Sequence, residues 1–137
     1  MPNRIVDKIN HLDAVGANSL SVVLMLGDPD FDTTLELVDI AVAQGVDVLE
    51  LGIPIDDPFL DSSAMQASMK RAIEQCSDPR RYLHALAEVR QAFPDLPIEV
   101  MVYRETLEVI GIRDYAEGLR KADLDATLVA DAFSHPQ

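Results

Sequence analysis

The sequence predicts an α/β chain in which parallel strands alternate with helices. Three observations carry this. Short apolar runs of strand length alternate with stretches of helical periodicity. The strand-then-helix unit recurs, as in βαβ units wound around a parallel sheet. No linker or composition shift divides the 137 residues, so one domain over 1–137 is expected. Right-handed crossovers leave the helices outside the sheet. Four strands suit either a small doubly wound sheet or part of a (β/α)₈ barrel. In both, chemistry is expected in the loops after the strand C-termini.

The elements follow in order. Asn3 to Val15 puts Ile5, Ile9 and Leu12 on one helical face. Ser21 to Leu26 is an apolar strand closed by Gly27-Asp28-Pro29-Asp30, a turn signal. Thr33 and Glu36 read as a capping box for a helix with Leu35, Val38 and Val42 on one side and Gly45 at its end. Val46 to Leu51 is the second strand. Ser63 to Gln75 is helical, with a second capping box at Ser63 and Gln66. Met65, Met69, Ala72 and Cys76 fall on its core face. Asp78-Pro79 supplies a cap and first-turn proline for a helix burying Tyr82, Leu86, Val89 and Phe93. Ile98 to Tyr103 is the third strand and Ala126 to Ala130 the fourth. Between them Ile112, Tyr115, Leu119 and Ala122 mark a helix.

Composition narrows the function. Hydrophobic residues make up 48% and charged residues 26%, an ordinary globular balance. Eleven Lys and Arg against 24 Asp and Glu give a net charge of -13. Such a surface repels phosphate backbones and anionic lipids, which argues against nucleic-acid and membrane partners. One cysteine excludes a disulfide scaffold or a Cys-rich zinc site and fits a reducing compartment. No apolar run reaches the ~18 residues of a membrane span. The expectation is a soluble, cytoplasmic protein.

Glu50 is the most informative residue. Alternation puts Val46, Val48 and Glu50 on one strand face, with Leu49 and Leu51 turned toward helices. A carboxyl group on the first face is either desolvated, which raises its pKa and suits proton transfer, or it is a solvated or salt-bridged glutamate at a strand end. Asp61 closes the loop that begins at Gly52 and is placed to reach the same mouth, or it is a solvated loop acid. Tyr103 ends strand three and either lines that mouth or is a partly buried aromatic. Asp28, Asp30, Asp56 and Asp57 fit no calcium loop and read as turn residues, so no metal site is expected. His11, His84 and His135 lie in no triad or metal arrangement and read as surface residues. Neither a Walker loop nor a dinucleotide fingerprint occurs.

Several stretches are more specific. Leu26-Gly27-Asp28-Pro29, then Gly45-Val46-Asp47-Val48-Leu49-Glu50-Leu51-Gly52-Ile53-Pro54, then Asp57-Pro58 and Asp61 closely resemble the tryptophan synthase alpha chain family. Met101-Val102-Tyr103 and Leu128-Val129-Ala130-Asp131 fall in matching places. The resemblance implies a TIM-barrel-like arrangement, here an incomplete barrel of about four strands. It implies retro-aldol cleavage of indole-3-glycerol phosphate to indole and glyceraldehyde 3-phosphate, in tryptophan biosynthesis. By the same matching, Glu50 is the glutamate that protonates the indole C3 carbon, and Asp61 stabilises positive charge on the ring. Val23, Met101, Tyr103, Leu128 and Ala130 line the indole pocket. Asp57 and Pro58 lie in the loop that meets a beta chain. No cofactor is expected in this chain, since pyridoxal phosphate belongs to that partner.

Two departures and the length complete the reading. The family pattern Gly-Ile-Pro-Phe-Ser-Asp-Pro, then Asp-Gly-Pro, is replaced by Gly52-Ile53-Pro54-Ile55-Asp56-Asp57-Pro58, then Asp61-Ser62-Ser63. A changed backbone course after Asp61 is therefore expected. Arg104-Glu105-Thr106 stand where the family has a small turn. A complete barrel needs ~250 residues, and its phosphate site follows strands seven and eight. The expectation is a chain with little or no lyase activity alone. Its edge strands should promote self-association or dependence on a partner. The alternative expectation is a non-catalytic truncated paralogue that docks a beta chain or itself.

Overall fold

A computed structural model describes residues 3–133. Helix α1 (Arg4–Val15) leads into strand β1 (Ser21–Met25), helix α2 (Phe31–Ala43) and strand β2 (Val48–Gly52). Helices α3 (Ser63–Gln75) and α4 (Pro79–Ala92) precede strand β3 (Ile98–Val102). Helices α5 (Arg104–Ile110) and α6 (Ile112–Lys121) precede strand β4 (Ala126–Val129). The strands form one parallel sheet in the order β1-β2-β3-β4, each pairing with the strand that follows it in the chain. This is the strand order of a (β/α) barrel segment. A doubly wound sheet reverses its strand order at a switch point, so that alternative is excluded.

The sheet has two apolar sides. Leu24, Leu49, Leu51, Ile98, Val100 and Val102 face the helices and pack with Val38, Tyr82, Leu86, Val89, Ile110 and Tyr115. The opposite face carries a smaller cluster of Met25, Ile55, Met69, Ala72, Met101 and Tyr103. The alternation expected for β2 holds: Leu49 and Leu51 are fully buried on the helix side and Glu50 is half-buried on the other.

The ends of several elements differ from the sequence expectation, each for a local hydrogen-bonding reason. Helix α2 is capped by Asp30, whose carboxylate accepts from the Thr33 amide at 2.7 Å, so Thr33 is not the cap. Thr34 is buried, and its hydroxyl accepts the Gly27 amide at 2.9 Å. Helix α3 is capped by Ser62 rather than Ser63. The Gln66 amide donates instead to the Asp61 carbonyl at 3.0 Å. Strand β2 begins at Val48 because the Val46 amide still bonds back to Ala41. Helix α5 has no counterpart in the sequence reading, which met Arg104-Glu105-Thr106 only as a departure. Ile112 is 73% exposed, and Val42 is also exposed, so neither is core. Cys76 is only half-buried.

The N-terminal ends of the strands are closed by a polar cluster. The Arg90 guanidinium donates to the carbonyls of Leu96 at 2.7 Å and Asp123 at 3.0 Å, and to the Asp125 carboxylate at 2.8 Å. Asp125 also accepts the Ile98 amide at 2.8 Å and pairs with Arg4 at 2.9 Å. Helix α1 is thus tied to β3 and β4 through charge as well as through the half-buried Ile5, Ile9 and Leu12.

Candidate active site

The register of the parallel ladder builds the site. Val23, Glu50, Glu99 and Ala126 form one row across the inner face. Met25, Gly52, Met101 and Leu128 form the next row toward the C-terminal ends. Beyond it, Tyr103 and Ala130 continue the same alternation just past β3 and β4. Gly52 leaves room in the second row. A Cβ there would lie 2.6 Å from the Met25 Cε and 3.2 Å from the Met101 Cε.

A cavity of 360 Å³ opens on these rows. Its walls include Val23, Glu50, Asp61, Met101, Tyr103, Leu128 and Ala130. Every residue that the sequence reading named as catalytic or pocket-lining meets there, in a space of the size that small organic ligands occupy, about 300–1,000 Å³. Leu60 and Met65 also line it and were missed. Met65 lies on the helical face read as core, and periodicity cannot tell a core contact from a cavity wall. Leu60 sits in a loop without periodic signal.

The two carboxyl groups differ in environment. Glu50 has no ion-pair or hydrogen-bond partner among the described residues. Burial, then the nearby charges of Glu99 and Asp61, raise its carboxyl above the ordinary glutamate value of 4.5. Asp61 is held in place. Its Oδ2 accepts the Tyr103 hydroxyl at 2.6 Å, and the Leu60 amide donates to the Tyr103 oxygen at 3.3 Å. Burial and then the Asp61 carboxylate push the Tyr103 hydroxyl above its usual range, so at neutral pH it keeps its proton and donates. The Phe59 ring meets Tyr103 edge-on at 5.7 Å. The loop that carries Asp61 therefore directs this side chain toward the cavity.

The other acids of the mouth have separate roles. Asp28 pairs with Arg71 at 2.7 Å and accepts from the Ser68 hydroxyl, which binds the β1–α2 loop to α3. The Arg71 hydrogen bonds hold its carboxyl below the usual aspartate range. Asp56 and Asp57 are exposed, while Pro58 is buried beneath them. Among the described residues no group of three His, Cys, Asp or Glu could hold a metal ion. His11 and His84 are exposed; His135 lies outside the described residues. No helix among the described residues is long and apolar enough to cross a membrane.

A parallel sheet with outer helices and an acid-bearing apolar cavity at its strand C-termini defines a (β/α)-barrel-type protein. The sequence model of the family described as tryptophan synthase alpha chain matches residues 9–135, and the chain belongs to that family. It is 37% identical over 129 residues to the tryptophan synthase alpha chain of Aeromonas salmonicida, covering 94% of this chain and 48% of the relative. It is 35% identical to that of Laribacter hongkongensis, over 94% of this chain and 49% of the relative. The crystal structure of tryptophan synthase subunit alpha from Legionella pneumophila superposes with a TM-score of 0.90 at 30% identity, over 96% of this chain and 50% of that one. The tryptophan synthase α2β2 complex from Pyrococcus furiosus gives a TM-score of 0.74 at 31% identity, over 82% and 45%. The chain spans about half the length of the curated relatives it matches.

Proposed function

We propose that this chain carries the proton-transfer half of an indole-3-glycerol phosphate lyase site. The observation that supports it is the cavity on which Glu50, Asp61 and seven apolar or aromatic residues converge. Val23, Met101, Leu128 and Ala130 offer flat apolar contact for an indole ring, with Tyr103 at the mouth. Glu50, whose carboxyl is raised above its ordinary value by burial and then by the nearby charges of Glu99 and Asp61, delivers its proton to C3 of the ring. Positive charge then develops on the ring nitrogen, and the ionised Asp61 stabilises it. The Glu50 carboxylate takes the proton of the adjacent side-chain hydroxyl. As the C–O bond becomes a carbonyl, the C–C bond breaks and its electron pair neutralises the ring. Glu50 ends protonated, so the cycle balances.

No described residue of the cavity wall is cationic, and its acids oppose a phosphate group. Binding of the ring is therefore expected from this chain, with little or no turnover. Calorimetry with indole and with indole-3-propanol phosphate tests the reading. Indole should bind, more weakly in Asp61→Asn, and the phosphate ester should gain nothing over it. Absence of indole binding by the folded chain, or indole release at the rate of a full-length alpha chain, overturns it.

Partner contact is the second component of the proposal. Exposed Asp57 stands at the rim of a 470 Å³ groove also lined by Asp56, Pro58, Gln66 and Lys70. This is the surface offered to a beta chain, which would carry any pyridoxal phosphate. The edge strands support a competing, non-catalytic reading. Val23 on β1 and Leu128 on β4 are 43% and 46% exposed, and among the described residues both strands keep one unpaired edge. Self-association through these edges is expected. Sedimentation of a monomer at all concentrations overturns that expectation.

A further inference from the structure

The inner face carries a second glutamate that the proposed chemistry does not use. Glu99 is the ladder partner of Glu50 on β3. Partners in a parallel ladder share a face, and their strands run roughly 4.8 Å apart, within reach of two glutamate side chains. Both residues are half-buried. The groups around them cannot neutralise the pair. Val23 and Met25 face it from β1, Ala126 and Leu128 from β4, Met101 and the un-ionised Tyr103 hydroxyl from β3. Asp61 adds a third acid at the mouth. No lysine, arginine or histidine among the described residues pairs with Glu50 or Glu99.

We propose that Glu99 is a positioning residue for Glu50, the two carboxyl groups holding one proton between them on the inner face. Two neighbouring carboxylates with no cation between them among the described residues cannot both ionise cheaply, and one retained proton relieves the repulsion. The nearby Glu99 charge among the causes raising the Glu50 carboxyl agrees with this geometry. The consequence is a glutamate that still carries a proton to give at neutral pH. When Glu50 has given that proton, renewed repulsion from Glu99 favours its recapture from the substrate hydroxyl. The inference rests on Glu50 as proton donor, but its test does not need turnover.

The test is carbon-13 NMR of the carboxyl groups in the glutamate-labelled chain, titrated from acid to neutral pH. In Glu99→Gln the Glu50 midpoint should fall by about one pH unit, the coupling at which two sites cease to titrate independently. Glu99→Asp keeps the charge and should retain coupling. Circular dichroism checks that each variant is folded. A folded Glu99→Gln chain in which Glu50 titrates unchanged overturns the inference and leaves the indole-binding reading standing. A coupled pair in a chain that binds no indole overturns that reading alone.

Discussion

The Tyr103 hydroxyl, at the end of β3, donates to Oδ2 of Asp61 across 2.6 Å while accepting the amide of Leu60. One phenol therefore fixes both the aim of the loop carboxylate and the backbone that carries it. Tyr103→Phe removes both bonds and keeps the ring. It should cost about 1.5 kcal/mol, the scale of a hydrogen bond to a charged group, read from the urea midpoint. Indole binding should weaken along with it.

Glu50 gives a pH effect of defined sign. Its folded-state pKa is raised, so between 4.5 and that higher value the folded chain holds a proton the unfolded chain has lost. Stability therefore falls as pH rises through this window. Glu50→Gln removes the penalty. The variant should be more stable than the parent at neutral pH and equal to it below 4.5, by urea unfolding at the two conditions.

Asp28 gives the opposite sign. Its pairing with Arg71 lowers the folded-state pKa below 3.8. The stability it supplies is present above 3.8 and is lost as pH falls through the lower folded value. Arg71 is half exposed, so the contribution is about 1 kcal/mol or less. Asp28→Asn should lose it at neutral pH and match the parent in strong acid.

Gly52→Ala tests the packing of the cavity floor. The new methyl meets the flexible ends of Met25 and Met101, which can rotate away. The cost in stability should be about 1 kcal/mol. The displaced thioethers have the cavity to enter, so loss of indole affinity should be the larger effect, measured by calorimetry.

Arg90 and Asp125 are a buried pair, their side chains 8% and 2% exposed. Among the described residues, Arg90→Leu leaves the Asp125 charge with only Arg4 as a cationic partner and takes a donor from the carbonyls of Phe93, Pro94, Leu96 and Asp123. Breaking one side of such a pair costs about 3–5 kcal/mol. Chemical denaturation should show this, with indole binding intact in the fraction that folds.

Much of the site was legible because β-structure has a period of two. Once Val46 to Leu51 was read as a strand, Glu50 had to stand apart from Leu49 and Leu51. The family resemblance then named seven of the nine residues that line the cavity. Leu60 and Met65 escaped because neither loop position nor helix periodicity distinguishes a cavity wall. Helix α5 escaped because it is only seven residues long and follows directly on a strand. The capping errors at Thr33 and Ser63 were single-turn ambiguities. Each region holds more than one hydroxyl or carboxyl group able to accept the free amides, and the packed turn selects among them.

By itself the sequence determined the alternation of strands and helices, the face on which Glu50 lies, and the kinship of the chain, since these depend on local period and motif. Only the tertiary structure decided that Glu50 and Glu99 are ladder neighbours, that Tyr103 holds Asp61, and that Arg90 reaches Asp125. Those relations join residues 49, 42 and 35 positions apart. They exist because strand register and side-chain packing bring distant segments side by side, which no local pattern encodes.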